Sequence, residues 1–322
     1  MTSVTASARS LGPRPRIGFL GPVGTFGEQA LLTQPDLADL DLVPMETMPE
    51  VLRAVEAGQL DLGFVALENA IEGTVNATVD TLAFDVDLTI QREVVMPVQM
   101  NLLGLPGTDL ADVRQVLSIP VASAQCRDWL LAHVPQATVV ASNSTAEAAR
   151  IVSEGGDPTV VAIANALSAK LYSLDLVAED IEDHPGNATR FVLVSRDDIP
   201  PPTGHDKTTV VVYQRADVPG SLLAILQEFA ARAINLTKLE SRPTKLALGD
   251  YCFIIDLEGH VTDEVVGDCL RNLKSKQADL KFLGSYPAAG EHGPAARRDA
   301  DTAWREADAW LSSVRRRIRY EL

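Results

Sequence analysis

Between residues 16 and 200, short apolar stretches with the character of buried strands alternate with helical stretches, and this alternation restricts the fold more than any other feature. Strands separated by helices favour parallel sheets that are covered by helices. One long, mostly extended stretch, Leu88 to Leu103, separates two such runs, and the chain returns to the first run near Asp175–Glu179. The pattern therefore predicts two α/β lobes with a cleft between them.

The pattern changes after the prolines at 200–202, which with Thr203 and Gly204 have the composition of a linker. The stretch that follows is predicted to form strand, helix, strand, strand, helix and strand. That order is typical of the ferredoxin-like βαββαβ plait. Two loops of this plait, at Gly220 and Arg242, are expected where a small effector would sit between paired copies.

Beyond Pro287 the chain is rich in Ala and Gly and then in charge. Trp304, Leu311 and Ile318 recur at helical spacing there, which predicts an amphipathic helix that docks on the body or on another subunit. The predicted organisation is therefore a disordered leader at residues 1–15, a two-lobed domain at 16–200, a plait at 207–287 and a tail at 288–322. Within the second of these, lobe 1 covers about 16–92 and 172–200, and lobe 2 about 93–171.

The net charge is −16, from 28 basic and 44 acidic side chains. This balance argues against a nucleic-acid partner and against adhesion to anionic membranes. The first 16 residues lack the apolar centre of a signal peptide, and no apolar run approaches the length of a membrane span. The three cysteines lie far apart, as in proteins of a reducing compartment. A cytoplasmic protein without a metal site is expected.

Polar residues follow several predicted strands. The stretch Asn187–Phe191 places Thr189 and Arg190 at the start of a buried strand, where α/β enzymes often hold working groups. Arg190 is suited to bind a carboxylate through two hydrogen bonds, and Thr189 to donate or accept one beside it. The alternative is a threonine that closes a loop next to a surface arginine.

Two further strand ends carry polar groups. The turn Gly21–Phe26 could present N–H groups to an anion, although it lacks the spacing of a dinucleotide or Walker loop, and a plain structural turn is the alternative. Asn69 can both donate and accept hydrogen bonds. Glu68 is an acid, a base or the N-terminal cap of a helix predicted over residues 70–82, with capping favoured.

Taken in order, these motifs resemble those of the prephenate dehydratase family. Gly21–Phe26 is similar to its Gly-Pro-x-Gly-Thr-Phe, and Glu68–Gly73 to its Glu-Asn-Ser-x-x-Gly. Ser118–Pro120 with Gln125 is similar to its Ser-His-Pro…Gln stretch, and Asn187–Phe191 matches its Thr-Arg-Phe signature. Each motif alone is weak, but their order is specific.

The resemblance implies decarboxylative dehydration of prephenate to phenylpyruvate, a hydro-lyase reaction of L-phenylalanine biosynthesis that needs no cofactor. It implies a catalytic domain folded like a periplasmic binding protein. The residues implied to be catalytic are Thr189, Asn69, Gln125 and Ser118. The residues implied to bind the substrate are Thr25, Arg190, Phe191 and Glu68.

The plait resembles an ACT regulatory domain, in which the feedback inhibitor L-phenylalanine binds. Gly220–Leu223 stands for the Gly-Ala-Leu motif of that domain, and Glu240–Pro243 matches its Glu-Ser-Arg-Pro motif. The residues implied to bind the effector are Gly220, Ser221, Leu222, Glu240, Ser241, Arg242 and Pro243. The family also implies a homodimer or homotetramer.

Two positions depart from the family pattern. Ala70 replaces the usual Ser or Thr, and Ile119 replaces the usual His, so no histidine is given a catalytic role. These departures keep open a catalytically inactive amino-acid sensor. An arogenate dehydratase is a second alternative. A homologue that decarboxylates without losing hydroxide is a third, which the presence of Thr189 disfavours.

Overall fold

The computed structural model describes residues 14–214, 218–244, 250–277, 279–289, 306–307 and 309–316. The chain forms two compact units. The first contains the residues up to Val75 together with Val95–Phe191, and the second contains Asn76–Val94 together with the residues from Val192 onward.

The strands up to the proline linker, numbered in chain order, are β1 (Arg16–Leu20), β2 (Asp41–Met45), β3 (Leu62–Asn69), β4 (Gly73–Thr74), β5 (Thr89–Pro97), β6 (Asn101–Gly104), β7 (Gln115–Ser118), β8 (Thr138–Ala141), β9 (Val160–Ala164), β10 (Asp175–Ala178) and β11 (Ala188–Ser195). The helices are α1 (Phe26–Leu32), α2 (Pro35–Ala38), α3 (Met48–Glu56), α4 (Asn76–Asp80), α5 (Pro120–Gln125), α6 (Arg127–His133), α7 (Thr145–Gly155) and α8 (Ala166–Leu171). A π-helical turn, Thr81–Asp85, follows α4, and a 3-10 turn, Leu110–Asp112, precedes β7.

The first sheet has the order β2-β1-β3-β11-β5, with β4 paired to β3. Strand β1 runs parallel to both β2 and β3, so the carboxyl ends of these three strands meet at one edge. Helix α3 covers the sheet with fully buried Val51 and Val55. The helix approaches the sheet closely, because a Cβ added at Gly18 would lie 3.2 Å from Val51 Cγ1. This edge of the sheet is where an α/β protein binds its ligand.

The second sheet has the order β10-β6-β9-β7-β8. Strand β7 is parallel to β8 and β9, whereas β6 is antiparallel to β9 and β10. Neighbouring residues of β7 belong to cores on opposite faces: Val116 packs with Leu130 of α6, and Leu117 with Val152 of α7. A central strand that is buried on both faces reads as a continuous apolar run, which is the pattern seen in the sequence.

The predicted fold class is confirmed for this part of the chain by two helix-covered α/β sheets. The helix predicted over 70–82 is wrong at its start, because Gly73 adopts a left-handed φ of +79° and pairs with Asn69 in β4. The sequence pattern also predicts one helix from Ser123 to His133. In the structure the helical stretch begins earlier, at Pro120, and is divided at Cys126 into α5 and α6.

The second unit contains the predicted βαββαβ plait. Its elements are β12 (Asp206–Tyr213), α9 (Ser221–Ala230), β13 (Leu236–Pro243), β14 (Tyr251–Glu258), α10 (Glu264–Lys276) and β15 (Asp279–Pro287). The four strands form one antiparallel sheet of order β13-β14-β12-β15. Val210 and Ile255 of the sheet pack against Phe229 of α9 and Leu273 of α10. The ferredoxin-like part of the prediction is therefore confirmed.

A loop was predicted at Arg242, but this residue lies in β13, which continues to Pro243. The end of β13 pairs with β14 in register, from Glu240 opposite Ile254 to Pro243 opposite Tyr251. In the tail, residues 309–315 are helical and include Leu311, whereas Trp304 and Ile318 lie outside the described residues. Within the described part of the chain, no helix has the length and apolar character needed to cross a bilayer.

Candidate active site

A cavity of about 1130 Å³ opens in the first unit. Its wall includes Leu20, Met45 and Asn69, which end the parallel strands β1, β2 and β3. Thr189 at the start of β11 and Gln125 at the end of α5 also line it. The structure thus brings together Asn69, Gln125 and Thr189, three residues that are far apart in the chain and were predicted to be catalytic.

The start of β11 presents every second residue to this cavity. Asn187, Thr189 and Phe191 line the wall, whereas Arg190 does not, because successive side chains of a strand point to opposite faces. Arg190 Nη1 instead lies 3.7 Å from Glu68 Oε2. Glu68 belongs to β3 and is not part of the cavity wall. The placement therefore gives no support to substrate-binding roles for Arg190 and Glu68.

Asn69 fixes the direction of the hydrogen bond to Thr189. Its Oδ1 accepts from the backbone N–H groups of Ile71 and Glu72, each at 3.0 Å. Since backbone N–H groups can only donate, the amide Nδ2 must point the other way, and it donates to Thr189 Oγ1 at 3.0 Å. The Thr189 oxygen is therefore an acceptor for Asn69, and its own O–H is available to donate into the cavity.

A second set of hydrogen bonds begins at the side chain of Glu72. Glu72 Oε1 accepts from Gln125 Nε2 at 3.0 Å, and Gln125 Oε1 accepts from Asn187 Nδ2 at 3.1 Å. Asn187 is 4% exposed, and its Oδ1 accepts no hydrogen bond from any described residue. Glu72 and Asn187 were given no role from the sequence, although both lie inside the motifs quoted there.

The turn before α1 serves the protein itself. Thr25 is the N-cap of α1, accepting from Glu28 N at 3.4 Å and donating to Leu20 O at 2.9 Å. The N–H of Gly24 donates to Glu28 Oε2. Thr25 lines the cavity as predicted, but the N–H of Gly24, one of those expected to hold an anion, is used by the Glu28 side chain.

Part of the cavity wall is apolar. Phe191 stacks on Phe64 with ring centroids 5.2 Å apart, and the wall also contains the apolar side chains of Met100 and Ile119. Ile119 thus occupies the wall with an aliphatic side chain at the position where the family usually has histidine. Burial raises the pKa of the nearby Cys126 thiol to about 12, so Cys126 is not a nucleophile at neutral pH.

Ser118, the fourth residue predicted to be catalytic, is fully buried and does not line the cavity. Its hydroxyl donates to the carbonyl oxygen of Ile163 at 2.9 Å, which joins β7 to β9. Ala70 contributes through its backbone, since its N–H donates to the carbonyl oxygen of Ala188 at 2.8 Å. Both residues therefore support the frame of the site.

The start of α7 forms a part of the wall that the sequence analysis missed. Ser144 caps this helix by accepting from Glu147 N at 2.9 Å, and Glu147 Oε2 accepts from Asn143 N at 3.0 Å. Arg150, one turn further on, is the only cationic side chain among the described residues of the wall. The Ser-x-x-Glu capping pattern of residues 144–147 was a signal for the helix start, but not for its place at the cavity.

In the plait, the predicted effector residues lie at two places. Gly220 has φ +87° and precedes α9, which begins with Ser221 and Leu222. On β13, Glu240 and Arg242 are half-buried, whereas Ser241 and Pro243 are exposed.

The guanidinium of Arg242 is engaged within the second unit. Its Nη2 lies 2.7 Å from Asp80 Oδ1, and its Nη1 donates to Asn76 Oδ1 at 2.6 Å. Glu240 Oε1 lies 3.7 Å from the same guanidinium. An effector carboxylate that binds Arg242 would therefore compete with Asp80.

Comparisons with known proteins agree with this arrangement. A prephenate dehydratase family model matches residues 17–199, and an ACT domain model matches residues 208–275. A prephenate dehydratase of Mycolicibacterium vanbaalenii is 41% identical over 94% of this chain and 98% of the relative. A solved prephenate dehydratase of Arthrobacter aurescens, in complex with L-Phe, has a TM-score of 0.86 and 41% identity, covering 94% of this chain and 99% of its own.

A further solved structure, described as a novel type of quorum quenching acylase, has a TM-score of 0.75 and 31% identity, covering 85% of this chain and 98% of its own. The two dehydratases have the higher identity, 41% against 31%, and their matches cover more of this chain, 94% against 85%. The two family models follow one another along the chain, as the two-sheet part and the plait do. The models and the two dehydratases together identify the chain as a member of the prephenate dehydratase family, with a C-terminal ACT domain.

Proposed function

We propose that this chain converts prephenate to phenylpyruvate, carbon dioxide and water, and that L-phenylalanine inhibits this reaction through the ACT domain. The observation that carries the proposal is the hydroxyl of Thr189, which is 9% exposed, lines the cavity and accepts from Asn69, so that its proton is free for a ligand. The family membership and the dehydratases at 41% identity support it.

The reaction needs help at one carbon–oxygen bond. Prephenate carries two carboxylates, a ketone and a ring hydroxyl, and loss of carbon dioxide with the hydroxyl yields an aromatic ring. Thr189 donates a hydrogen bond to the departing oxygen. Because a threonine hydroxyl is a very weak acid, proton transfer accompanies C–O cleavage and draws on solvent, so that one proton is consumed in each turnover.

The two carboxylates of the substrate need their own partners. Arg150 is the cation of the described cavity wall, and the N-terminus of α7 carries the positive end of the helix dipole. We therefore assign the retained carboxylate to Arg150, in place of the role predicted for Arg190. The Arg150 side chain is 43% exposed and pairs with Glu154 at 2.7 Å, and a substrate carboxylate displaces that surface partner.

The departing carboxylate belongs against the apolar part of the cavity wall. Phe191, Phe64 and Ile119 offer it no hydrogen bond, which favours its loss as neutral carbon dioxide. The residue that replaces histidine at position 119 is thus compatible with the reaction. It supplies apolar surface rather than a proton.

Regulation is proposed for the plait residues around Gly220 and on β13. The related Arthrobacter enzyme, solved with L-Phe, supports L-phenylalanine as the effector. A Cβ added at Gly220 would meet no atom of the described residues within 4 Å, but the φ of +87° at this position is costly for any other residue. We expect Gly220→Trp to weaken inhibition; equal inhibition of this variant and of wild type would contradict the assignment.

The domain boundaries and the assembly are also proposals. We place the catalytic domain at residues 16–200 and the ACT domain at 207–287, and the family models at 17–199 and 208–275 support these limits. A homodimer or homotetramer is proposed from the family, and sedimentation of the purified chain tests it. A cytoplasmic location is proposed from its place in amino-acid biosynthesis.

The test is phenylpyruvate formation from prephenate, with arogenate as competing substrate, in the presence and absence of L-phenylalanine. We expect Thr189→Ala to lower kcat by at least about 100-fold, and Thr189→Ser, which keeps the hydroxyl, to retain most of the activity. Near-normal turnover by a folded Thr189→Ala variant would remove the catalytic assignment. Preference for arogenate would identify the chain as an arogenate dehydratase. If the chain showed no turnover but L-phenylalanine still raised its Tm, the chain would be a sensor.

A further inference from the structure

Asn187 has an acceptor that nothing in the described structure uses. Its side chain is buried, it lines the cavity, and its Oδ1 has no hydrogen-bond partner among the described residues. A buried, unpaired amide oxygen costs free energy, so an oxygen in this state at a cavity wall points to a ligand that carries a donor.

The orientation of this amide follows from the charge of Glu72. An ionised carboxylate accepts and cannot donate, so the Gln125 group that faces it at 3.0 Å must be the amide nitrogen. The oxygen of Gln125 then faces Asn187 at 3.1 Å, which must present its own nitrogen there. The oxygen of Asn187 is left on the remaining side, and reversing it would require reversing Gln125 against Glu72.

The backbone holds Asn187 close to Thr189. The carbonyl oxygen of Asn187 accepts from Val98 N at 2.8 Å, immediately before β11 begins. Asn187 and Thr189 are two residues apart in extended chain, so their side chains project from the same face. Asn187 Oδ1, an unpaired acceptor that is itself shielded from solvent, therefore lies on the same side of the chain as one donor, the O–H of Thr189.

The substrate of the proposed function contains one group that matches both. Its carboxylates and ketone only accept hydrogen bonds, and its ring hydroxyl is its only donor. We infer that Asn187 Oδ1 accepts the hydrogen bond of the leaving hydroxyl and turns a lone pair of that oxygen toward Thr189. This inference rests on the proposed function and adds a residue that contacts the substrate and selects for an alcohol as leaving group.

The proton balance is simple. Asn187 takes no proton and holds the hydrogen that the oxygen already carries. The leaving oxygen receives its second hydrogen on the side that faces Thr189, and solvent supplies a proton in its place. The C–O bond then breaks to release water, while the C–C bond to the carboxylate breaks to release carbon dioxide and supplies the electron pair of the aromatic ring.

The test compares Asn187→Leu with wild type by kinetics and by product inhibition. Phenylpyruvate lacks the hydroxyl, so its inhibition constant reports whether the rest of the site is intact. We expect Asn187→Leu to lower kcat/KM by about 10- to 100-fold, the loss of one to two hydrogen bonds to the reacting group. Its inhibition constant for phenylpyruvate should change less than about twofold.

Asn187→Asp supplies a second readout. When protonated, the introduced carboxyl donates to Gln125 and still accepts from the substrate; when ionised, it holds the substrate hydrogen too strongly and loses the contact to Gln125. Its kcat/KM should therefore rise as pH falls, relative to wild type. Asn165→Asp is the matched control, because Asn165 is a buried amide that caps α8 and does not line the cavity.

Two results would overturn the inference while wild type still turns over prephenate. One is kcat/KM of folded Asn187→Leu within threefold of wild type. The other is an equal loss of turnover and of phenylpyruvate inhibition, which would give Asn187 a purely structural role. Absence of wild-type turnover would instead refute the proposed function, so the two failures are distinguishable.

Discussion

Replacing Asn69 by Asp should reverse the direction of the hydrogen bond to Thr189. The substitution keeps the oxygen that accepts from Ile71 N and Glu72 N. It replaces the nitrogen 3.0 Å from Thr189 Oγ1 by a carboxylate oxygen. The Thr189 hydroxyl must then donate to that carboxylate, and its proton is turned away from the substrate.

The size of the effect follows from the strength of that bond. A hydrogen bond to a charged group contributes about 1.5–3 kcal/mol, and it must be broken before Thr189 can donate to the substrate. At about 1.4 kcal/mol for each factor of ten, Asn69→Asp should lower kcat by about 10- to 150-fold. Asn69→Ala loses a neutral hydrogen bond of about 1 kcal/mol but leaves Thr189 free to rotate, so its kcat should fall only about fivefold.

Stability should follow the opposite order. Asn69→Asp keeps three hydrogen bonds at this position and should unfold in urea within about 1 kcal/mol of wild type, whereas Asn69→Ala should lose about 1–2 kcal/mol. Initial rates of phenylpyruvate formation and urea midpoints decide the comparison. A folded Asp variant that is faster than the Ala variant would refute the reasoning. So would an Asp variant that fails to regain activity as low pH protonates the new carboxyl.

Three further predictions concern other parts of the chain. Asp80→Ala removes the carboxylate that lies 2.7 Å from Arg242 and competes with an effector carboxylate. It should lower the half-inhibitory concentration of L-phenylalanine by about fivefold with uninhibited kcat unchanged. Unaltered inhibition would argue against effector binding at Arg242. Glu93→Ala leaves Lys207 without its carboxylate partner at 2.8 Å and should lower the free energy of unfolding, measured in urea, by about 3 kcal/mol. The double variant Glu93→Leu/Lys207→Met removes both charges and should lose less stability than Glu93→Ala. Burial raises the pKa of three thiols above the ordinary 9.0, to about 12, 11 and 12, for Cys126, Cys252 and Cys269. As pH rises, the unfolded chain therefore loses these protons before the folded chain does, and the stability that is present below pH 9 should be lost. Under reducing conditions, Tm should fall between pH 9 and pH 11. The fall should be shallower in a Cys→Ala variant.

The sequence was most informative where strands end. Asn69, Gln125 and Thr189 were predicted to work together although they lie far apart in the chain, and they meet at one cavity. The resemblance to the family implied this set, and the α/β alternation alone did not: the shared edge of parallel strands accounts for the place of Asn69, whereas Gln125 ends a helix and Thr189 lies at the start of a strand. Ser118 met the same criterion but points into the sheet, where its hydroxyl serves the carbonyl oxygen of Ile163.

The prediction that Arg190 binds the substrate beside Thr189 did not take account of the alternation of side chains along a strand. Adjacent residues of a strand face opposite ways, so Thr189 at the cavity excludes Arg190 from it. The role of Arg150 could not be found in this manner. It depends on where α7 is placed in the fold, and a capping pattern specifies where a helix begins but not what that end faces.

Local conformation set a second limit. The residues from 70 to 82 contain enough helix-forming side chains to suggest a continuous helix, but Gly73 takes a positive φ that only the completed turn requires. The break at Cys126 is of the same kind. Propensity is a weak signal, and pairing of β4 with β3 outweighed it.

The position that departs most visibly from the family pattern, Ala70, is joined to the site through its main chain. Its N–H donates to Ala188 O, and every amino acid except proline brings that same group. A substitution of Ala70 by any residue except proline therefore leaves this backbone hydrogen bond beside Asn69 and β11 in place. Side-chain identity at position 70 is a poor marker of lost activity in such chains, whereas a proline there would be a reliable one.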